Sequence, residues 1–422
     1  MPKKRFCIAG ASGRGFYMYA DSLNSEEFRD AAELVGVYDS NPGRARLLAN
    51  AYPGTGVKAY ETFYQMMTEA KPDALIVTTV DRFHCEYAVQ ALEYGAAAVI
   101  EKPMCIDAPQ VRALLDAKER TGGTVIVTFN MRYMPNKLMI KKLLQEGVIG
   151  DIESVAFEWN LIHGGHGTSY YHRWNGHLDL SGGLLLTKSA HHFDLANWYV
   201  DSYPAKVSAF GALKRYGKNG AFRGKNCHEC GYTDQCPYYT SMINTPLGYD
   251  AIPMFVDNAK YDGYTPDGCV FDETIDAYDT ANLAVLYENG VTMSYSLTAN
   301  APYEGWRIAF TGTKGRLEAS EIGTGPENVR AAGQESIRVM PYKKDMEIIR
   351  CETQSGSHGG GDIRMIRDII HGLTDDPFRQ RASVLDGSAA VLLGAAANVS
   401  IQTGKTVDIT ELLGRPLESS RE

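Results

Sequence analysis

Phe6-Cys-Ile-Ala-Gly10-Ala-Ser12-Gly13-Arg14-Gly15 is a short apolar strand that runs straight into a cluster of glycines. Glycines at that point let the chain turn tightly and present backbone N–H groups at a helix N-terminus, where a pyrophosphate binds well. In the dinucleotide spacing G-x-G-x-x-G, Gly10 and Gly15 match, Ser12 takes the place of the second glycine and Gly13 is extra. Glu33-Leu-Val-Gly-Val-Tyr-Asp39 reads as a second strand, ending in a carboxylate placed to grip an adenosine ribose 2′-hydroxyl. The stretch predicts a dinucleotide cradle built from Gly10, Ser12, Gly13, Arg14, Gly15 and Asp39. Asp39 would repel a 2′-phosphate and so favours NAD, while Arg44 and Arg46 nearby leave NADP open.

Strands and helices alternate outward from there. Residues 74–79, 97–100 and 124–128 are continuous apolar strands, and 45–51, 86–94 and 108–121 are helical. Continuous rather than alternating apolar runs mean burial on both faces, hence a parallel sheet. Gly10, Asp39, Thr79 and Lys102 then open on its carboxyl edge, where ligands bind. From about Phe157 the strands come as hairpins with one polar face: 283–287 and 291–297 flank Glu288-Asn289-Gly290, and 308–312 and 316–317 flank Thr313-Lys314-Gly315. The fold class is α/β: a doubly wound parallel sheet over 1–130, then an α/β domain over 131–422 with a mostly antiparallel sheet and a Cys-containing excursion at about 216–272. At 422 residues, two domains are expected.

With 42 basic against 51 acidic residues and a net charge of −9, the chain lacks the footprint of a nucleic-acid binder. No apolar stretch reads as long enough to cross a bilayer, and the first strand starts too near Met1 for a secretory leader. The expectation is a cytoplasmic protein whose eight cysteines are thiols or metal ligands more often than disulfides.

Taken in order, the glycine turn, Asp39-x-Asn-Pro, Thr79-Val-Asp81-x-x-His84, Glu101-Lys102-Pro103, Gly182-Gly183 leading to His191-x-x-Asp194, Gly312-Thr-Lys-Gly-Arg-Leu-Glu318 and Thr403-Gly-x-x-Val407 resemble the glucose-fructose oxidoreductase / inositol dehydrogenase / rhizopine catabolism family, Gfo/Idh/MocA, over nearly the whole length. The resemblance implies a Rossmann domain holding NAD(P) and a larger α/β domain whose open sheet serves subunit contact in a dimer or tetramer. It also implies oxidation or reduction of sugars, cyclitols or related polyols. It groups Thr79, Asp81, His84, Glu101 and Lys102 with the cofactor set.

By the same resemblance Lys102 and His191 are the catalytic candidates, since an alcohol must lose its O–H proton as hydride leaves carbon. Thr187 stands where family members commonly carry an aspartate. Lys188 follows, at i,i+3 from His191 and i,i+4 from His192, and a cation there keeps an imidazole neutral. Either histidine can enter the pocket, and the motif favours His191. The loop His163-Gly-Gly-His166-Gly-Thr-Ser-Tyr170-Tyr-His-Arg173-Trp174 offers aromatic faces and donors for a polyhydroxylated ring. Arg132, Tyr133 and His358 complete the substrate candidates; Arg132 and Arg173 suit an anionic substituent, and Asp362 reads either as pocket wall or as the N-cap of a helix over 363–371.

Cys227-x-x-Cys230, Cys236 and Cys269 have the residue type and number of a structural zinc site, with free thiols or disulfides as alternatives. Cys7, Cys85, Cys105 and Cys351 read as small buried residues. Three functions follow: an NAD(P)-dependent dehydrogenase of a sugar, glycoside or cyclitol; a glycoside hydrolase that uses bound NAD transiently through oxidation, elimination and re-reduction; and a non-catalytic NAD or sugar sensor.

Overall fold

The strand ahead of the glycines, β1 (Lys4–Ala9), lies at the centre of a six-stranded parallel sheet in a computed structural model that describes residues 2–242, 251–332, 336–351, 357–373 and 375–417. The other strands are β2 (Ala32–Tyr38), β3 (Lys58–Ala59), β4 (Ala74–Val77), β5 (Ala97–Ile100) and β6 (Val125–Val127), in the order β3-β2-β1-β4-β5-β6. Strand order reverses between β1 and β4, and the helices on either side diverge there to leave a crevice at the carboxyl ends. β4 is buried at every residue, as its unbroken apolar run requires.

A nine-stranded sheet follows. It comprises β7 (Ile152–Ile162), β8 (Pro204–Ala212), β9 (Thr280–Tyr287), β10 (Thr292–Ala301), β11 (Glu304–Gly312), β12 (Gly315–Thr324), β13 (Ser336–Pro341), β14 (Glu347–Ile349) and β15 (Val407–Asp408). Their order is β14-β13-β12-β11-β7-β10-β9-β8-β15, antiparallel throughout except for the parallel pair β7 and β10. The Asn289-Gly290 hairpin forms as its sequence requires, with Gly290 at φ +87°. One face of this sheet packs on the helices Ser189–Val200, buried along all twelve residues, and Val384–Thr403. The latter corrects the sequence reading: it is long and apolar enough to span a bilayer, but it is mostly buried here as a core helix against β8.

A second difference bears on function. The i,i+3 and i,i+4 spacing of Lys188 to His191 and His192 assumes one continuous helix, but a short turn, Leu184–Thr187, breaks at Lys188 before Ser189–Val200 begins. His191 N–H bonds the Lys188 carbonyl at 3.3 Å rather than that of Thr187. The Thr187 carbonyl is thereby released from the helical ladder.

Candidate active site

The glycine turn sits at the strand-order reversal. Gly10 has φ +101°, and a Cβ there would lie 2.6 Å from the Thr78 carbonyl carbon and the Thr79 nitrogen; a Cβ on Gly15 would lie 2.5 Å from the Gly10 oxygen. Only glycine fits either position. Ser12 Oγ accepts the Gly15 N–H at 3.2 Å, starting the helical segment Arg14–Ala20, whose first N–H groups suit an anion. Asp39 follows β2, and its carboxylate accepts the N–H of Ala11 and of Asn41, both at 2.7 Å. Its remaining lone pairs suit ribose hydroxyls, so turn, helix start and terminal acid fit an adenine dinucleotide.

Lys102 follows β5 on the same edge, and its Nζ donates at 2.9 Å to the Thr187 carbonyl freed by the helix break. The Thr187 hydroxyl accepts from Asn175 Nδ2 at 2.9 Å and faces the Asp81 carboxylate. Asp81 is buried, and one of its oxygens has no partner among the described residues. Burial pushes the Asp81 carboxyl up, against the pull of Lys102 and the Thr187 hydroxyl. Burial likewise lowers Lys102, while Glu101 and Asp81 pull it up. Each group's charge thus favours the charged form of the other, against burial. His84 braces the strand ends, its ring nitrogens 2.8 Å from the Pro103 carbonyl and 3.0 Å from that of Thr79.

His191 stands beside them, edge-on to Phe129, with its Nδ1 buried and unpartnered among the described residues. Burial, then the charges of Lys102 and Lys188, hold it well below the ordinary imidazole value, so it is neutral. Lys188 is pushed down to about 8 by burial, with Glu304 opposing, and lies 5.1 Å over the Trp159 ring. His192 differs: it stacks on Trp159 at 3.8 Å, and its Nδ1 pairs with the Tyr295 hydroxyl at 2.7 Å. Its Nε2, like His191 Nδ1, is buried without a partner among the described residues, and Lys188 and Lys102 act on it as they do on His191.

The loop after β7 closes one side and includes a helical turn, His166–Ser169. His166 bridges Glu304, at 2.9 Å from Nδ1, and the Tyr170 hydroxyl, at 2.9 Å from Nε2. Arg173 is held by the Ser169 carbonyl at 2.9 Å and acts electrostatically on Asp81 and Lys102; Trp174 is partly exposed. On another side His358, in left-handed backbone at φ +49°, pairs with Asp362 at 2.9 Å and acts on His191. Asp362 is no N-cap: the helix Gly361–His371 is capped by Gly360, and the carboxylate instead takes His358, Asn130 and Arg14. Arg14 also bonds Glu101 at 2.9 Å, and Tyr19 bonds the same carboxylate at 2.8 Å. Burial would raise Glu101, but Arg14, Lys102 and the Tyr19 hydroxyl hold it below its usual value.

Two substrate candidates are corrected. Arg132 is fully buried and committed to Asp194 at 2.6 and 2.9 Å, Asp386 at 3.1 Å and the Arg379 carbonyl at 2.9 Å, so it is a strut rather than a ligand for a substrate anion. Tyr133 donates to Asp368 at 2.5 Å inside a separate apolar cluster. Cys351 is half-buried rather than buried. Cys227, Cys230, Cys236 and Cys269 are all unbridged, and among the described residues no three His, Cys, Asp or Glu side chains stand in coordinating arrangement.

Sequence reading missed Glu304, Asn175 and the tip of the excursion, of which 243–250 lie outside the described residues. The segment 251–264 lies on the Asp39 side of the crevice. Asn41 Nδ2 donates to the Asn258 carbonyl at 2.9 Å, Arg46 to the Tyr261 hydroxyl at 2.8 Å, and Arg44 bridges Asp262 and Asp39. Phe255 and Met254 pack with Phe16 and Leu47 beneath it. A contact across more than two hundred residues of sequence leaves no local signal.

Residues 4–129 match the model of the oxidoreductase family's NAD-binding Rossmann fold, and 141–409 that of the same family's C-terminal alpha/beta domain, Gfo/Idh/MocA in both cases. YteT of Bacillus subtilis (strain 168), an oxidoreductase by name, is 34% identical over 97% of this chain and 98% of its own length. Inositol 2-dehydrogenase of Rhizobium meliloti (strain 1021) is 29% identical over 50% of the chain and 58% of its own. Glycosyl hydrolase family 109 protein 2 of Akkermansia muciniphila is 24% identical over 96% and 82%. Among solved structures, the WlbA dehydrogenase from Bordetella pertussis, in complex with NADH and UDP-GlcNAcA, superposes with a TM-score of 0.65 at 18% identity, covering 96% of this chain and 99% of that one.

Proposed function

The chain belongs to the Gfo/Idh/MocA oxidoreductase family, with its NAD-binding Rossmann fold, and from that premise we propose that it oxidises or reduces a ring hydroxyl of a sugar, glycoside or cyclitol. The observation that supports this reading is that half-buried Lys102, on the sheet edge that holds the glycine turn, acts electrostatically on buried His191 from the helix Ser189–Val200, and burial shifts both toward the neutral form. When bound, the nicotinamide supplies the hydride acceptor or donor. Lys102 Nζ, fixed by the Thr187 carbonyl, takes the alcohol proton, with Asp81 setting its proton affinity. His191 orients the same hydroxyl. His166, Tyr170, Arg173, Trp174 and His358 line the space for the remaining hydroxyls, and the aromatic rings cover the C–H face.

NAD is favoured over NADP. Arg44, the cation nearest a ribose 2′-substituent, is already neutralised by Asp39 and Asp262, and Arg46 is taken by Tyr261. Phe210, Leu286 and Ile348, exposed on the outer face of the nine-stranded sheet, are read as the surface for a second copy of the chain.

A specific observation also favours the hydrolase reading. The segment 251–264 covers the Asp39 end of the crevice, which suits a cofactor recycled in place rather than exchanged. The test is a panel of glycosides and polyols offered to protein whose nicotinamide content is known, followed for both NADH and free sugar. Cofactor-dependent NADH with a ketone product supports the dehydrogenase. Sugar release without net NADH supports the hydrolase, and binding without either overturns both in favour of a sensor.

A further inference from the structure

The excursion between β8 and β9 contains four cysteines the redox site does not use. An antiparallel bridge between Asn226 and Gly268 brings their two stretches together: Cys227 N–H bonds the Asp267 carbonyl at 2.8 Å, and Cys269 N–H that of Lys225 at 3.1 Å. Cys227, Cys230, Cys236 and Cys269 then line one small void, walled by His172 and Phe222. His172 pins this unit to the pocket loop through the carbonyls of Gly268, at 2.7 Å, and Tyr238, at 2.9 Å.

Three of the four sulfurs receive backbone N–H groups. Tyr232 N donates to Cys230 Sγ at 3.4 Å, Gly224 N to Cys269 Sγ at 3.4 Å, and Thr240 N to Cys227. N–H donors around sulfur complement thiolates only once a metal has displaced the thiol protons, since burial holds the free Cys227 thiol up. Gly224 is required by the same packing, since a Cβ there would stand 2.9 Å from Cys230 Sγ. The four sulfurs sit around the void without closing on it. Four thiolates at ~2.3 Å from a central ion require the cysteines to draw in, since among the described residues no three such side chains stand in coordinating arrangement.

We propose that Cys227, Cys230, Cys236 and Cys269 bind one soft divalent cation, zinc in the first instance, as a four-thiolate tetrahedral site. Binding releases the four thiol protons and leaves no open position on the metal, so the site is structural. Its role is to close the base of the excursion, a segment short of apolar core whose far end, 251–264, rests on Asn41, Gly43 and Arg44 beside Asp39.

The test uses full-length protein purified under reducing conditions without chelator. Elemental analysis should find about one zinc per chain. Exchange for Co2+ should give the intense visible bands and sulfur-to-cobalt charge transfer of a tetrahedral thiolate site. Cys227→Ser with Cys230→Ser should lose both signals, while Cys85→Ser, outside the cluster, should keep them. Should the double variant not fold, the wild-type metal content and cobalt spectrum decide. Absence of metal from reduced protein, with no thiolate spectrum after Co2+ addition, overturns the proposal. So does a Cys227–Cys230 disulfide in the native protein.

Discussion

Replacing Asp81 with asparagine should move the pH dependence of alcohol oxidation toward acid. Asp81 is buried beside Lys102, and its carboxylate is one of two charges, after Glu101, that favour the Lys102 ammonium. A lysine acting as base must be neutral, so the rate rises with pH through its pKa. Removing the Asp81 charge removes support for the ammonium, and the lysine loses its proton at lower pH. Glu101 also answers to Arg14 at 2.9 Å, so Asp81 is the less encumbered of the two carboxylates. A neighbouring opposite charge is worth about 1–3 pK units, and with Glu101 remaining a displacement of about 1–2 pH units is expected, roughly 1.4–2.7 kcal/mol. The assay is kcat/KM against pH for the best alcohol of the panel, wild type beside Asp81→Asn. An acid limb that stays in place, or moves to higher pH, refutes the coupling.

Asp262→Asn should free Arg44 from one of its two carboxylates and raise the affinity for NADPH relative to NADH by about tenfold, ~1.4 kcal/mol, read by cofactor fluorescence; an unchanged ratio contradicts the assigned role of the excursion tip. Acidification should destabilise the fold: burial lowers His84, His172, His191 and His192 below the ordinary value, so the unfolded chain binds protons that the native rings refuse. Stability is then fully present above about pH 6.5 and falls as pH drops below it, and a Tm equal at pH 7.5 and 5.5 would be inconsistent with buried neutral rings. Arg132→Ala should cost about 3–5 kcal/mol in denaturant unfolding, because it strands the buried Asp194 carboxylate.

Local signals carried much of the architecture. Ala97–Ile100 and Ala108–Thr121 form where the sequence puts them, the helix bounded by the Asp107 cap, which accepts the Gln110 N–H at 2.8 Å, and by left-handed Gly122. The glycine turn was legible because φ and close packing admit no other residue. What was not legible depends on tertiary approach. The helix break at Lys188 follows no proline or side-chain cap, yet it frees the carbonyl that holds Lys102. Arg132 reads as an anion ligand in sequence and is a buried strut in the fold, since Asp194 is 62 residues away. The Arg44–Asp262 pair, 218 residues apart, was beyond any periodicity.

The central claim is that Lys102 handles the alcohol proton in an NAD-dependent redox step. It is tested most directly by single-turnover absorbance of bound nicotinamide, in wild type and in Lys102→Met matched for cofactor content, with the alcohol or glycoside that the panel identifies. The account predicts reduction of the bound nicotinamide in wild type and a rate lower by about 10²–10⁴-fold in the variant, with cofactor affinity retained. Equal rates in the two proteins would contradict it.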